Sequence, residues 1–159
     1  MRARRIYQAL AFSLVATVLM SGCTPRLTPL YRDYRITKTD SSQREIHSRI
    51  ISALEEAGWN VTEGVTPNIV ATESKKFGSY FIYTMEVELE VSPVGKDHVR
   101  VLIHPYRKYF TGSRGKVPYL QTGMAQSIMA TLQEPFASYG LEYAGTAQSR
   151  DKAYRKRLD

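Results

Sequence analysis

Three groups of residues have the type and spacing to do chemistry. The first is a row of carboxylates, Glu86, Glu88 and Glu90. Paired carboxylates serve acid–base catalysis and bind divalent cations. A spacing of two puts all three on one face of a strand, with Met85, Val87 and Leu89 on the other. That placement favours a water-facing row, with Arg100 on the neighbouring strand as its cross-strand partner. Carboxylates so exposed lack the burial that moves a pKa into a catalytic range. The second group is His104-Pro105-Tyr106-Arg107-Lys108-Tyr109-Phe110, where basic and aromatic residues interleave. Such a surface stacks on planar rings while holding phosphates. Two readings stand for it: a ligand surface made by His104, Tyr106, Arg107, Lys108 and Tyr109, or the plain extension of a strand. The third is Cys23, the sole cysteine and so the chain's one thiol nucleophile.

Little other chemistry is on offer. A single cysteine forms no intramolecular disulfide, so the fold must stand on its core. Together with the scattered His47, His98 and His104 it makes no metal cluster, and no cofactor is expected. There is no nucleophile elbow, zinc-protease helix, P-loop or dinucleotide fingerprint. Gly112-Ser113-Arg114-Gly115-Lys116 has neither the spacing of a phosphate loop nor the hydroxyl residue after the lysine. Nothing in the pattern points to an enzyme.

The elements that would position these groups are legible in the periodicity. Ser42-Gln43-Arg44-Glu45 reads as a capping box. Ile46, Ile50, Ile51 and Leu54 follow at helical spacing and Gly58 is a stop, so a helix is predicted over 42–57. Trp59 and Val61 begin a strand that resumes at Ile69–Ser74, with a turn at Gly78-Ser79. The clearest strand spans 80–91 and should bury Phe81, Tyr83, Met85, Val87, Leu89 and Val91. A hairpin loop over 92–97 returns the chain to bury Val99, Val101 and Ile103. After a polar loop at 111–116, Leu120, Met124, Ile128, Leu132 and Phe136 recur every four residues. They predict a helix over 118–134, with Pro118 in its first turn and Pro135 kinking or ending it. Tyr31–Lys38 is a candidate edge strand. The expected fold is α+β: an antiparallel meander of three to four strands, covered on one face by two helices in a two-layer sandwich.

The chain has 159 residues and a net charge of +7, with 22 basic and 15 acidic residues. Arg2, Arg4 and Arg5 supply three of the basic residues, ahead of a mostly apolar run from Ile6 to Met20. A charged start, a short apolar run and small residues at Ser21 and Gly22 make a secretory signal over 1–22. The run is shorter than the roughly 20 residues that span a bilayer as a helix. Beyond it, 19 basic residues face 15 acidic ones, a mild excess of +4 that suits an anionic membrane surface or anionic glycans. Export makes nucleic acid an implausible partner.

Leu19-Met20-Ser21-Gly22-Cys23 resembles the bacterial lipobox, although Met20 stands where that motif usually has Leu. The resemblance covers residues 1–23. It implies diacylglyceryl attachment to the Cys23 sulfur, cleavage before Cys23 and acylation (palmitate or a similar chain) of the new amine. Several acyl chains make such attachment effectively permanent. Thr24, in place of the Asp that retains lipoproteins in the inner membrane, implies the periplasmic face of the outer membrane. The implied organisation is a signal peptide at 1–22, a lipidated tether at 23–30, an α+β domain at 31–143 and a basic tail at 144–159. Ala53–Val61 (ALEEAGWNV), followed by a meander and a long helix, is faintly similar to the helix-grip domains of the accessory lipoprotein C of the outer-membrane β-barrel assembly machine. That stretch is about a tenth of the chain and carries over no functional residue. The expected function is therefore a lipid-anchored, non-enzymatic accessory or assembly module of the cell envelope that docks other envelope proteins. The alternative is a domain that binds an anionic lipid, lipopolysaccharide or peptidoglycan through residues 104–110.

Overall fold

The computed structural model describes residues 27–28, 30–37, 42–64 and 66–146. In chain order the elements are β1 (Leu27–Thr28), β2 (Tyr31–Ile36), α1 (Gln43–Glu56), β3 (Val61–Glu63), β4 (Val70–Thr72) and β5 (Lys75–Ser79). There follow β6 (Tyr83–Val94), β7 (His98–Tyr109), β8 (Arg114–Lys116), β9 (Leu120–Gln121), α2 (Thr122–Ser138) and β10 (Leu141–Gly145). The spine is the β6–β7 hairpin. It is paired residue by residue from Tyr83 opposite Tyr109 to Val94 opposite His98, around a tight turn in which Gly95 takes a φ of 69°. Around it the antiparallel sheet runs β10-β2-β7-β6-β4-β3, with β5 beside β6 and β8 beside β7 at the other end of the hairpin. β1 and β9 form a separate two-residue ladder.

Strict alternation gives β6 and β7 one apolar face, and both helices lie on it. Val87, Leu89, Val91, Val99, Val101 and Ile103 are fully buried beneath Ile50, Ala53 and Leu54 of α1 and Ile128, Leu132 and Phe136 of α2. Fully burying one such side chain is worth about 1.5–3 kcal/mol, so this layer dominates the stability. The fold is thus the two-layer α+β sandwich, with more strands than the alternation alone reveals. Trp59 is buried at the corner between α1 and β3 and stacks on Phe77, ring centres 5.6 Å apart.

The ends of α1 follow their local chemistry. The Ser42 hydroxyl accepts a hydrogen bond from the Glu45 amide at 3.3 Å. The Glu45 carboxylate turns to Arg49 one turn on. At the far end Gly58, at φ 73°, lets its amide reach Glu55 O and the Trp59 amide reach Leu54 O, each at 2.9 Å. That is the Schellman closure, which satisfies carbonyls the helix would otherwise leave bare.

Several expectations are corrected. β6 begins at Tyr83, so Phe81 lies beyond the covered part of the sheet in full solvent contact, and Tyr83 is half-buried. Gly78 and Ser79 close β5, and the turn falls at 80–82. The long helix starts four residues after Pro118, because Leu120–Gln121 is drawn into the ladder with Leu27–Thr28. It runs through Pro135, which lies in the last turn and forfeits only one backbone bond. β2 is interior, between β7 and β10. The tether assigned to 23–30 thus includes a strand at Leu27–Thr28, and the tail assigned to 144–159 contributes Ala144 and Gly145 to β10.

Candidate functional site

Residues 104–110 all fall on the second half of β7 or just past it, and the pleat divides them between two faces. His104, Tyr106 and Lys108 point away from the helices, opposite Glu88, Glu86 and Thr84. Arg107 and Tyr109 point to the helix side. The sequence-predicted ligand residues are therefore two clusters back to back.

On the outer face the glutamate row is engaged rather than free. The Arg114 guanidinium lies 2.6 Å from Glu88 and 3.4 Å from Glu86. It also donates to the Ser74 hydroxyl at 3.1 Å and stacks 3.7 Å above the Tyr106 ring. Lys108 stands 3.6 Å from Glu86, and the His104 imidazole 2.9 Å from Glu90. The three carboxylates are 16%, 27% and 32% exposed in sequence order, so this face is partly covered. Burial, reinforced by the Glu88 charge and opposed by that of Arg114, pushes the Tyr106 phenol upward. Arg100 does not serve the glutamates. Its register partner is Ser92, and it makes a bidentate pair with the buried Asp33 of β2 at 2.8 and 3.2 Å while lying over Tyr31. The hydrogen bonds it donates to Asp33 hold the Arg100 guanidinium above its already high ordinary value. Arg114 was hidden from sequence reading because β8 (Arg-Gly-Lys) has no alternation and is exposed throughout.

On the inner face Arg107 sits among aromatic rings. It donates to the Tyr119 hydroxyl at 2.7 Å, and its guanidinium lies 5.1 Å from the Tyr83 ring centre. No carboxylate pairs with it among the described residues, and its Nε finds no hydrogen-bond partner among them. Tyr80 stacks on Tyr83 at 4.7 Å. Beyond these rings the sheet ends in Phe81, Ile82 and Phe110, all exposed.

A second feature lies at the opposite end of the hairpin. Two adjoining hollows of about 370 and 550 Å³ share His47 and Pro67. They form a groove between α1 and the β3–β4 hairpin, walled by Ile46, Ile50, Ile51, Val61 and Val70 and reaching Pro93. Gln43, Arg44, His47, Thr62, Thr66 and Asn68 also line it, so the trough offers an apolar floor with a polar rim, which suits an extended segment better than a small polar substrate. Its residues come from α1 and the β3–β4 hairpin, which follow one another in sequence, with Pro93 of β6 added by the sheet, and no local motif announces it. Among the described residues no group of carboxylates, histidines or thiols is placed to hold a metal ion. No described helix is long and apolar enough to cross a membrane. Cys23 and the leader lie outside the described residues. No protein-family model matches the chain, and no curated protein is similar to it.

Proposed function

We propose that this protein is a lipid-anchored module of the bacterial cell envelope, attached through Cys23 to the periplasmic face of the outer membrane. In this reading its folded domain is a non-enzymatic accessory that docks other envelope proteins. The observation that carries the reading is a spacing. Cys23 closes a lipobox-like leader, and the first strand of the fold begins four residues later at Leu27. A domain that starts so soon after an acylated residue works at the membrane surface. The groove beside α1 supports docking, since it offers a partner an apolar trough and a short edge strand in β3. The similarity of residues 53–61 to the helix-grip domains of an assembly lipoprotein points the same way. Ligand capture by 104–110 is the weaker reading, because His104, Tyr106 and Lys108 are already occupied by Glu90, Arg114 and Glu86.

Two measurements test this. Cells fed labelled palmitate should label the protein, and Cys23→Ser should abolish the label; label that survives the substitution overturns the anchor. Photo-crosslinkers at Thr62 and Asn68, on the groove rim, should give the same envelope-protein adduct, and Ile51→Glu should remove it. Adducts that ignore Ile51→Glu overturn docking at the groove.

A further inference from the structure

We infer that the end of the sheet formed by residues 80–82 and 109–112 is a membrane-contact site that sits in the interface of a phospholipid bilayer. Phe81 is 102% exposed and Phe110 82% exposed, with Tyr80 and Ile82 near half. They form one patch, since Tyr83 pairs with Tyr109 and the Phe110 amide reaches Ile82 O at 3.4 Å. None of the four belongs to the core cluster, so the fold does not require them to be apolar. A water-facing tip would carry charge here, and this one carries bare aromatic rings.

The surroundings fit lipid better than protein. From Lys75 to Thr84 there is no acidic residue, and none from His98 to Gln133. The same two stretches supply Lys76, Arg107 and Lys116, along with Lys108 and Arg114, which are paired with Glu86 and Glu88. Arg107, without a carboxylate partner among the described residues, sits behind the tip against the Tyr83 and Tyr119 rings, a cation available to a lipid phosphate. Tyr80, Tyr83, Tyr109 and Tyr119 ring the same end. Tyrosine settles at bilayer interfaces because its ring is apolar and its hydroxyl is wet.

The direction of the chain supplies an independent argument. Leu27 pairs with Gln121, and Gln121 lines the same small hollow as Tyr80, Tyr83 and Arg107. The N-terminal side of the chain therefore enters the fold at the aromatic end and not at the groove end. Four residues reach at most about 14 Å when fully extended, so lipid on Cys23 would hold this end against the bilayer. The inference rests on the anchor reading for this last argument alone.

The test uses the full chain made in a lipidating bacterium and placed in vesicles of phosphatidylethanolamine and phosphatidylglycerol, doped with lipid brominated high on its acyl chains. Trp59 is the only native tryptophan and is buried. Phe81→Trp and Phe110→Trp add a probe at the tip, and Val94→Trp adds one at the other end of the hairpin. Emission from the tip probes should shift to the blue and fall by about half on bromination, as expected for a shallowly inserted ring, and Val94→Trp should not change. The mass of the reconstituted chain reports separately whether Cys23 is acylated. Quenching in a chain that carries no lipid sustains the membrane contact and removes the anchor. Tip probes that stay unquenched, whether or not Cys23 is acylated, overturn the inference. So does a blue shift without quenching, which signals burial against protein.

Discussion

Tyr34 shows how much one buried polar atom can shape the behaviour of the protein. Its ring is fully buried beneath α2, packed 4.7 Å from Phe136, and its hydroxyl reaches the Met129 sulfur at 3.9 Å. Burial, reinforced by the neighbouring Tyr143 and opposed by Arg32, pushes its phenol well above the ordinary value of about 10. The folded chain then keeps a proton that the unfolded chain releases. The associated stability is complete below about pH 10 and is lost as pH rises beyond it. Chemical denaturation between about pH 8 and pH 11 should show this loss, and Tyr34→Phe should flatten it. At neutral pH the same substitution should cost less than about 1 kcal/mol, because the bond to sulfur is weak. An unchanged alkaline slope in Tyr34→Phe would assign the loss to another group. The Arg100–Asp33 pair illustrates the opposite case, in which sequence named the cation and missed its partner. Opposite Arg100 stands Ser92, and only the pairing of β2 with β7 brings Asp33 within reach.

At the scale of elements, what could be read in advance was whatever local chemistry decides. Ser42 and Gly58 bound α1 through their own hydroxyl and backbone freedom, and the alternation of β6 sends Leu89 inward and Glu88 outward whatever the rest of the chain does. What could not be read was decided by neighbours. β10 and β8 have no useful alternation, and they become strands because β2 and β7 offer open backbone edges. The start of α2 moved past Pro118 for the same reason, once β9 had paired with β1. Phe81 has the parity of a core residue, yet parity cannot say where the covering layer ends. The candidate site was legible as a composition, basic and aromatic, but not as a geometry, because a strand splits neighbours between faces. The two faces of β6 make a direct comparison. Leu89→Asp should unfold the domain, since a fully buried position cannot hold an unpaired charge. Glu88→Ala removes one of the contacts of Arg114, which keeps Glu86 and Ser74, and should cost less than about 1 kcal/mol. Thermal melts of the two variants check the pair; a melting temperature that falls as far for Glu88→Ala would mean that the outer network carries the fold.

Over the whole molecule, one core cluster takes side chains from both helices, β2, β4, β6, β7 and β10, so no layer can be lost alone. Leu54→Ala in α1 and Leu132→Ala in α2 should each cost about 3 kcal/mol. In both, secondary structure and tertiary packing should melt together, as far-UV and near-UV circular dichroism would record. Separated transitions would mean that one helix unfolds on its own. The unbroken β6–β7 hairpin also has a consequence as a piece of mechanics. Its aromatic end and its groove end are joined by twelve rungs of one ladder, roughly 37 Å at the rise of an antiparallel strand. If the first end rests on a bilayer, the hairpin is a strut of set length, and a protein seated in the groove would be held at a constant height above the lipid.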